Sequence, residues 1–113
     1  MNSIERWIEK FTAAWLNDDI AGMMKLFSDN VQYWETPFQK FANKTELAQA
    51  WKYIHKQKDI SLNTECVGEN VVKWDLRYTL DSQRKHWAGV YVMQIDESGL
   101  CNYFWQCGEE EIL

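Results

Sequence analysis

The sequence has few cysteines, no long apolar run and no concentration of basic residues, and each of these absences excludes a class of protein. Three cysteines occur without a Cys-x-x-Cys spacing, so a disulfide framework is not indicated. No segment reaches the about 18 consecutive apolar residues of a membrane span. The N-terminus lacks the basic-then-apolar grading of a signal peptide. We therefore predict a cytoplasmic protein with reduced cysteines and no membrane partner.

The charge balance is acidic, with 12 Lys and Arg against 17 Asp and Glu and a formal net charge of −5. Nucleic-acid-binding domains concentrate lysine and arginine, because these residues neutralise phosphates. No such block is present, so nucleic acid is not expected as a partner. No two histidines and a carboxylate stand at metal-ligand spacing, and we expect neither a metal nor another cofactor.

Aromatic residues are abundant. Seven Trp, five Tyr and five Phe make up 15% of the 113 residues. The chain is long enough for one domain with a single buried core, and each aromatic ring buries a large apolar area. So many rings predict either a core built from a few large side chains or a cavity lined by aromatic residues.

Helical periodicity occupies most of the first half of the chain. Apolar residues at i, i+3, i+4 and i+7 predict a helix over residues 3–16, capped by Asn2 or Ser3. The same spacing predicts a shorter helix over residues 20–27 and a third over residues 44–56, with Asn43 as its N-cap. The predicted buried stripes are Ile4, Trp7, Ile8, Phe11 and Trp15; Ile20, Met23, Met24 and Phe27; and Leu47, Ala50, Trp51 and Ile54.

From residue 59 the apolar period changes to two, which predicts strands. Four antiparallel strands are expected, over residues 60–67, 72–80, 84–95 and 100–108. The second has one apolar and one charged face, so one side should face a core and the other water. The third is apolar on both faces, and both are expected to be covered. Helices and meandering strands in separate halves indicate an α+β domain.

The stretch from Asp29 to Phe38 connects the two halves. It is predicted to be a short strand that stops at Pro37, because proline holds the preceding Thr36 in an extended conformation. A loop is predicted over residues 38–42. The polar residues Glu35 and Thr36 lie at the end of this aromatic strand, where polar groups beside aromatic rings could bind a ligand.

Three segments in this order resemble the nuclear-transport-factor-2-like (NTF2-like) superfamily, which includes SnoaL-like polyketide cyclases and ketosteroid isomerases. Residues 11–27, FTAAWLNDDIAGMMKLF, resemble its helix pair, and residues 29–38 resemble its first strand and proline exit. Residues 92–100, VMQIDESGL, resemble its final hairpin. The resemblance implies one SnoaL-like domain over residues 1–113. Its fold would be a cone-shaped, curved antiparallel sheet packed against three helices, as in cystatin-like and NTF2-like proteins.

The catalytic set of the ketosteroid isomerases does not carry over to this sequence. The resemblance places their proton-shuttling aspartate, which precedes the strand-ending proline, on Thr36. Their hydrogen-bonding tyrosine in the first helix falls on Phe11, and their protonated acid on the fourth strand falls on Tyr91. Threonine cannot act as a general base near neutral pH, and phenylalanine cannot donate a hydrogen bond. Ketosteroid isomerisation is therefore not expected.

What the resemblance leaves is an aromatic cavity suited to a small hydrophobic molecule held by a few polar groups. One hypothesis is a protein that binds such a ligand without catalysis. The alternative is a small-molecule isomerase, cyclase or dehydratase that works by acid–base proton transfer. The lining residues that the resemblance implies are Phe11, Trp15, Thr36, Trp51, Tyr91, Met93, Phe104 and Gln106.

Three residues are candidates for acid–base chemistry: Glu35, His55 and Tyr91. Tyr91 would donate a hydrogen bond. Glu35 in an apolar cone would have a raised pKa, but alternation places it on the face opposite Thr36, where it would be solvated. His55 could take part in a histidine–aspartate arrangement, as in dehydratases that resemble this fold, although a histidine at a helix end is also favoured by the helix dipole. Glu35 or His55 inside the cavity would favour an enzyme.

Other polar and aromatic groups are expected on the outside of the sheet. Asp75 and Arg77 resemble the Asp/Arg site of epoxide hydrolases in the superfamily, but they share the charged, solvent-facing side of their strand. His86 alternates out of phase with its apolar neighbours and should also point outward. Tyr103 and Trp105 lie on one face of the last strand. If the helices cover the other face, these rings form an exposed apolar patch, which predicts a homodimer through the sheet face.

Overall fold

A computed structural model of the protein describes residues 2–112. In chain order, helices occupy the first half and a six-stranded sheet dominates the second, which confirms the α+β class. The helices are α1 (Ser3–Leu16), α2 (Ile20–Met24), α3 (Lys44–Ala50) and a 3-10 helix (Trp51–Lys56). The strands are β1 (Phe27–Thr36), β2 (Gln39–Phe41), β3 (Lys58–Cys66), β4 (Val71–Leu80), β5 (Gln83–Ile95) and β6 (Cys101–Glu110).

Helix α1 has the predicted bounds because both its cap and its apolar stripe are encoded locally. The Asn2 side chain accepts a hydrogen bond from the Glu5 amide at 2.8 Å, and the Glu5 carboxylate accepts one from the Asn2 amide at 3.3 Å. This capping box satisfies two amides that the first turn would otherwise leave without partners. The predicted stripe is buried, so α1 packs its aromatic face against the sheet.

Three of the predicted elements differ from the structure. Helix α2 ends at Met24, and Phe27 instead begins β1, where it is completely buried. The predicted 38–42 loop contains β2, which pairs with β1 and buries Phe41. The predicted third helix changes to 3-10 geometry at Trp51. In each case, the local pattern fits two structures and contacts with the sheet decide between them.

The sheet has the strand order β2-β1-β6-β5-β4-β3. Strands β3 to β6 form the predicted antiparallel meander, and Gly99 in the β5–β6 turn adopts a φ of 83°, which glycine tolerates without strain. Strand β1 pairs in parallel with β6, a pairing the sequence did not predict. This pairing joins β1 to the sheet that contains β4, β5 and β6.

The core is a cluster of aromatic rings centred on Phe104 of β6, which is completely buried. Its ring lies 4.7 Å from the ring of Tyr91 and 4.8 Å from that of Tyr33, with which it stacks. Trp7 and Phe11 of α1 also contact it, at ring separations of 5.9 and 6.1 Å. These contacts hold α1 against the inner face of the sheet.

The outer face of the sheet carries no helix in the described part of the chain. Ala88 is exposed and Val90 and Val92 are half-buried, so the expectation that both faces of β5 are covered is wrong within one chain. Asp75 and Arg77 form the predicted outward charge pair, with Oδ1 and Nε 3.5 Å apart. No helix within residues 2–112 is both long enough and apolar enough to cross a membrane.

Candidate functional site

A cavity of about 200 Å³ lies between the C-terminal end of α1 and the 3-10 helix on one side and the inner face of the sheet on the other. Aromatic rings form most of its wall, and a carboxylate and two amides are placed among them. Its lining residues are Trp15, Glu35, Tyr53, Gln57, Trp74, Leu76, Tyr78, Trp87, Tyr91 and Gln106.

Glu35 reaches this cavity from an irregular position in β1. Trp34 pairs with Lys40 and Thr36 pairs with Gln39, so Glu35 is an extra residue with no counterpart on β2. Such bulges are common beside binding sites, and the Glu35 side chain keeps the inward direction of Val31 and Tyr33 along the strand. The structure therefore places Glu35 in the cavity wall, while Thr36 is exposed and its hydroxyl accepts a hydrogen bond from the Phe38 amide.

Burial controls the protonation of the cavity's acidic groups. It raises the pKa of the Glu35 carboxyl above its ordinary value, because the charged form loses solvation among aromatic rings. Burial also raises the pKa values of Tyr53 and Tyr91, followed for each by smaller electrostatic contributions that include Glu35. Both phenols therefore stay protonated and can donate hydrogen bonds. Glu35 is the group in this cavity that can exchange a proton closest to neutral pH.

The three indole nitrogens of the wall residues are of two kinds. At one end, the Trp15 indole donates a hydrogen bond to Gln57 Oε1 at 3.0 Å, and this buried pair joins α1 to the segment after the 3-10 helix. By contrast, the indole nitrogens of Trp74 and Trp87 are buried without a hydrogen-bond partner. Burial raises the pKa of Tyr78, while the nearby Trp87 indole lowers it by less, and no well-aligned hydrogen bond connects the two side chains.

The structure separates the eight residues implied as lining into three groups. Trp15, Tyr91 and Gln106 border the cavity. Thr36 lies on the surface. The other four are buried in the aromatic core, outside the cavity wall: Phe11, Trp51, Met93 and Phe104.

Of the three acid–base candidates, Glu35 and Tyr91 lie together in the cavity wall and His55 does not. His55 is exposed at the end of the 3-10 helix, where its Nδ1 contacts a carboxylate oxygen of Asp18. This pair connects the α1–α2 turn to the 3-10 helix on the surface. His86 points outward as predicted and contacts Asp75 and Glu111.

Sequence reasoning missed six lining residues, and two signals could have found most of them. Trp74, Leu76 and Tyr78 occupy the apolar face of β4, which the alternation already directed inward. Trp87 shares its strand face with Tyr91. Tyr53 and Gln57 gave no signal, because their positions depend on the change from α-helix to 3-10 geometry.

A second depression, an open groove of about 840 Å³, lies between α1 and the edge strand β3. It is larger but shallow, and acidic residues such as Glu5, Glu9 and Glu65 line it. Concave apolar pockets with a few convergent polar groups and a perturbed titratable residue are typical of small-molecule sites. The smaller cavity is the more enclosed of the two and contains Glu35, whose pKa is raised. Within residues 2–112, no group of three His, Cys, Asp or Glu side chains is placed to hold a metal ion.

Comparison with known proteins extends this description of the fold. Sequence comparison matches the chain to no protein-family model and to no curated protein. Among solved structures, the Δ5-3-ketosteroid isomerase from Mycobacterium sp. matches with a TM-score of 0.77 and 13% identity, over 98% of this chain and 100% of that one. An NTF2-like protein of unknown function from Exiguobacterium matches with a TM-score of 0.72 and 14% identity, over 96% and 98%.

The chain has the NTF2-like fold. A third solved structure has the same fold, that of a Mycobacterium tuberculosis protein in complex with estradiol-17beta-hemisuccinate. It matches with a TM-score of 0.75 and 12% identity, over 94% of this chain and 93% of that one. At these identities the likeness establishes the fold alone. The chemistry of this chain must therefore be argued from its own cavity residues.

Proposed function

We propose that this chain is a single SnoaL-like domain that binds a small hydrophobic molecule in its aromatic cavity. The observation that carries the proposal is the Glu35 carboxyl, which lies in a mostly aromatic wall and has a raised pKa. A carboxyl group in an apolar site costs stability, because burial disfavours its charged form. A core that needed only packing would place an apolar residue at this position.

The size of the cavity limits the ligand. Pockets for drug-sized ligands occupy roughly 300–1,000 Å³, and this one occupies about 200 Å³. A protein of the same fold binds estradiol-17beta-hemisuccinate, a four-ring steroid derivative. The ligand proposed here is smaller, with one or two rings.

Binding of indane, a two-ring hydrocarbon without polar groups, tests this proposal. Trp15, Trp74 and Trp87 border the cavity, so binding should change the tryptophan fluorescence. Leu76→Phe fills the cavity and should weaken binding about tenfold or more, since tenfold corresponds to about 1.4 kcal/mol. The matched control Leu16→Phe changes an exposed position on α1 and should bind as the wild type does. Equal binding by both variants would contradict a ligand site in the cavity.

A second candidate function is acid–base catalysis, favoured by the position of Glu35. A carboxylate that takes a proton from one ligand atom and returns it to another supplies the essential chemistry of an isomerase. General bases work best when their pKa lies near the working pH, and burial moves the pKa of Glu35 in that direction. Tyr91, kept protonated by burial, would donate a hydrogen bond to the developing negative charge.

Hydrogen exchange at carbon tests the catalytic candidate. In D₂O, NMR follows the replacement of the C2 hydrogens of 1-indanone by deuterium. The wild type should accelerate this exchange, and Glu35→Gln should slow it by about 10²-fold or more, the usual effect of a general base. Glu9→Gln, an exposed control on α1, should keep the full rate. If indane binds but Glu35→Gln leaves the exchange rate unchanged, the protein is a binding module without this activity.

Ketosteroid isomerase activity is not part of the proposal. The aspartate position is Thr36, which is exposed and engaged with the Phe38 amide, and the tyrosine position is the core residue Phe11. A Δ5-3-ketosteroid incubated with the protein should show no shift of its double bond. Measurable isomerisation would contradict this part of the account.

We also propose that two chains associate through the outer face of the sheet. Tyr103, Trp105, Val90 and Val92 are half-buried there and Cys107 is exposed, and no helix of the described chain covers them. Contiguous apolar surface of this kind is typical of an interaction site. A second copy of the chain would cover the patch and leave the cavity, which opens on the inner face, accessible to the ligand.

A further inference from the structure

Glu35 carries the one carboxylate of the cavity wall, and this carboxylate has no partner in the protein. In the described part of the chain, no ion pair or hydrogen bond engages it, and burial alone shifts its pKa. Lysine, arginine and histidine are absent from the lining residues. Carboxylates withdrawn from water are usually paired, because an unpaired one loses solvation without compensation. An unpaired carboxylate in a binding cavity therefore indicates a cation that the ligand supplies.

The carboxylate is accessible from the cavity. Glu35 borders the cavity and is half-buried rather than sealed from solvent. Its charge contributes to the raised pKa values of Tyr53 and Tyr91, which places the carboxylate near these two phenols of the wall. A ligand that fills the cavity can therefore contact the carboxylate directly.

A second polar acceptor lies beside Glu35 on the neighbouring strand. Trp34 pairs with Trp105, so Glu35 and Gln106 are the next residues on the parallel strands β1 and β6. Both border the cavity. Neighbouring strands lie about 4.8 Å apart, and the oxygen of a glutamine amide accepts hydrogen bonds. A group with several N–H donors that binds Glu35 therefore also lies within reach of the Gln106 amide.

The aromatic part of the wall also favours a cation. Six of the ten lining residues are Trp or Tyr. Trp74 and Tyr91 stack on each other, with ring centroids 5.3 Å apart and planes 15° from parallel. The faces of such rings carry partial negative charge and attract cations, most strongly where water is excluded. The rings and the carboxylate thus act together, whereas an aliphatic wall would disfavour any charge.

The surroundings of Glu35 suit an organic ammonium better than a metal ion. Metal ions in proteins are held by several oxygen or nitrogen ligands, and within residues 2–112 no group of three His, Cys, Asp or Glu side chains is placed to hold one. A single carboxylate among aromatic rings suits a cation that carries its own apolar groups. The volume of about 200 Å³ limits this apolar part to one or two rings.

From these observations we infer that the ligand of the cavity is a small hydrophobic amine, whose ammonium group binds the Glu35 carboxylate and whose rings contact the aromatic wall. The inference rests on the proposed ligand-binding function and adds the charge and chemical class of the ligand. The ammonium also donates a hydrogen bond to the Gln106 amide oxygen. Glu35 determines specificity in this arrangement, because it distinguishes the cation from neutral compounds of the same shape.

Three probes with the same bicyclic skeleton test the inference: indane, 1-indanol and 1-aminoindane. The alcohol and the amine are similar in size and both donate hydrogen bonds, but only the amine is charged at neutral pH. Wild-type protein should bind 1-aminoindane about tenfold or more tightly than 1-indanol, the usual effect of a hydrogen bond between charged groups. The tryptophan fluorescence of the cavity wall reports binding of all three probes.

Two matched variants locate the charge that binds the amine. Glu35→Gln keeps the size of the side chain and removes its charge, so it should lower the affinity for 1-aminoindane about tenfold and change that for indane by less than about twofold. Glu9→Gln removes the same charge from an exposed position beside the shallow acidic groove and should bind each probe as the wild type does. A preference for the amine that survives Glu35→Gln, or that Glu9→Gln abolishes, would overturn the inference.

A ¹³C NMR titration of the Glu35 carboxyl in wild-type protein depends on no variant. The titratable groups around it are Tyr33, Tyr53, Tyr78 and Tyr91, and burial raises the pKa of each, so all four stay protonated while Glu35 titrates. 1-Aminoindane should lower the pKa of Glu35, because a nearby ammonium favours the carboxylate. Indane has no charge and should not lower it. A Glu35 pKa that 1-aminoindane leaves unchanged or raises would contradict the ion pair.

The outcomes separate this inference from the proposed function. Binding of indane together with equal affinities for 1-aminoindane and 1-indanol would overturn the amine inference and leave ligand binding by the cavity in place. Failure of the folded wild type to bind any of the three probes would overturn both the inference and the proposed function.

Discussion

At the scale of single residues, Glu35 determines what the cavity can do. It is the lining residue whose pKa burial brings toward neutral pH, and it is surrounded by phenols and indoles that remain protonated. A ligand with an exchangeable proton would therefore meet one titratable carboxylate among several hydrogen-bond donors. This asymmetry distinguishes the site from a cavity that only packs a hydrophobic molecule.

The raised pKa of Glu35 has a consequence for stability. Because the folded-state pKa exceeds the unfolded-state value, the stability linked to this group is fully present below the unfolded pKa and is lost as the pH rises through the folded pKa. Glu35→Gln removes the charge. We expect this variant to be more stable than the wild type in urea unfolding at pH 7.5, and the difference to shrink toward zero near pH 4. A variant less stable than the wild type at pH 7.5 would contradict the burial of this carboxyl.

Gly108 supports the cavity through Trp74. A methyl group at this position would stand 2.5 Å from Trp74 Cζ2 and 2.7 Å from Cη2, so the indole would have to move. We expect Gly108→Ala to lower the free energy of unfolding by about 1–3 kcal/mol, as overpacking usually does. Gly68→Ala is a matched control, because its nearest atom, Val71 Cβ, would be 3.8 Å away. Equal unfolding midpoints for the two variants would show that the Trp74 ring is not held as described.

Tyr91 lies in the cavity wall and Thr36 lies on the surface, and the difference has a physical reason. Tyr91 lies on a long strand whose alternation is regular, so its inward direction follows from the pattern. The resemblance placed the ligand at Thr36, the residue before the proline. Val31 and Tyr33 are buried on β1. Because side chains alternate between the two faces of a strand, Glu35 continues this inward series and Thr36 points outward. The local alternation was thus a better guide than the family position.

At the scale of elements, prediction depended on how much of each element is encoded locally. Helix α1 carries its own capping box and a complete apolar stripe, and its bounds were predicted correctly. The local pattern around Phe27 fits two structures equally well. Phe27 continues the helical spacing of Met23 and Met24, and it could also begin a strand. Phe27 adopts the strand conformation because it is buried in the aromatic core and pairs with Cys101 on β6. Such long-range contacts are not visible in a local pattern.

Three strands are joined at one end of the sheet by His86. Its Nε2 lies 2.7 Å from Asp75 Oδ2 on β4, and its Nδ1 lies 3.2 Å from Glu111 Oε1 just after β6. The hydrogen bond to Asp75, followed by that to Glu111, raises the pKa of His86, and the bond from His86 lowers the pKa of Asp75. Protonated His86 on β5 therefore connects Asp75 on β4 to Glu111, which follows β6.

The stability contributed by this connection should depend on pH in both directions. It is lost as the pH rises through the raised folded-state pKa of His86, and lost as the pH falls through the lowered folded-state pKa of Asp75. A double-mutant cycle with His86→Gln and Asp75→Asn, measured by urea unfolding, should give its largest coupling between these two pKa values. A coupling that is constant from pH 4 to pH 9 would rule out this ion pair as its source.

At the scale of the whole molecule, the outer sheet face provides a test of association. Wild-type protein should sediment with twice the mass of one chain. Trp105→Lys places a charge in the apolar patch and should shift the protein to a single chain. Asn63→Lys, on an exposed position of the edge strand β3, should leave the mass unchanged. A wild type that sediments as a single chain would contradict the proposed dimer.

The order of the elements made the overall fold predictable, while the position of the cavity was not. A helical hairpin, a strand, a further helix and a meander favour one curved sheet covered by helices on one side, and the resemblance implied the cone shape. The empty space inside it depends on which large rings meet. Phe11 and Phe104 fill the centre, so the cavity lies toward Tyr53 and Trp87 at the open end.

The most direct test of the account is a ¹³C NMR titration of the Glu35 side-chain carboxyl, with and without 1-indanone. We expect Glu35 to titrate above the ordinary glutamate value in the free protein, and we expect 1-indanone to raise its pKa further by excluding water from the cavity. The exposed Glu9 provides an internal control that should not respond to 1-indanone. A Glu35 carboxyl that titrates at the ordinary value and does not respond to the ligand would contradict the central claim.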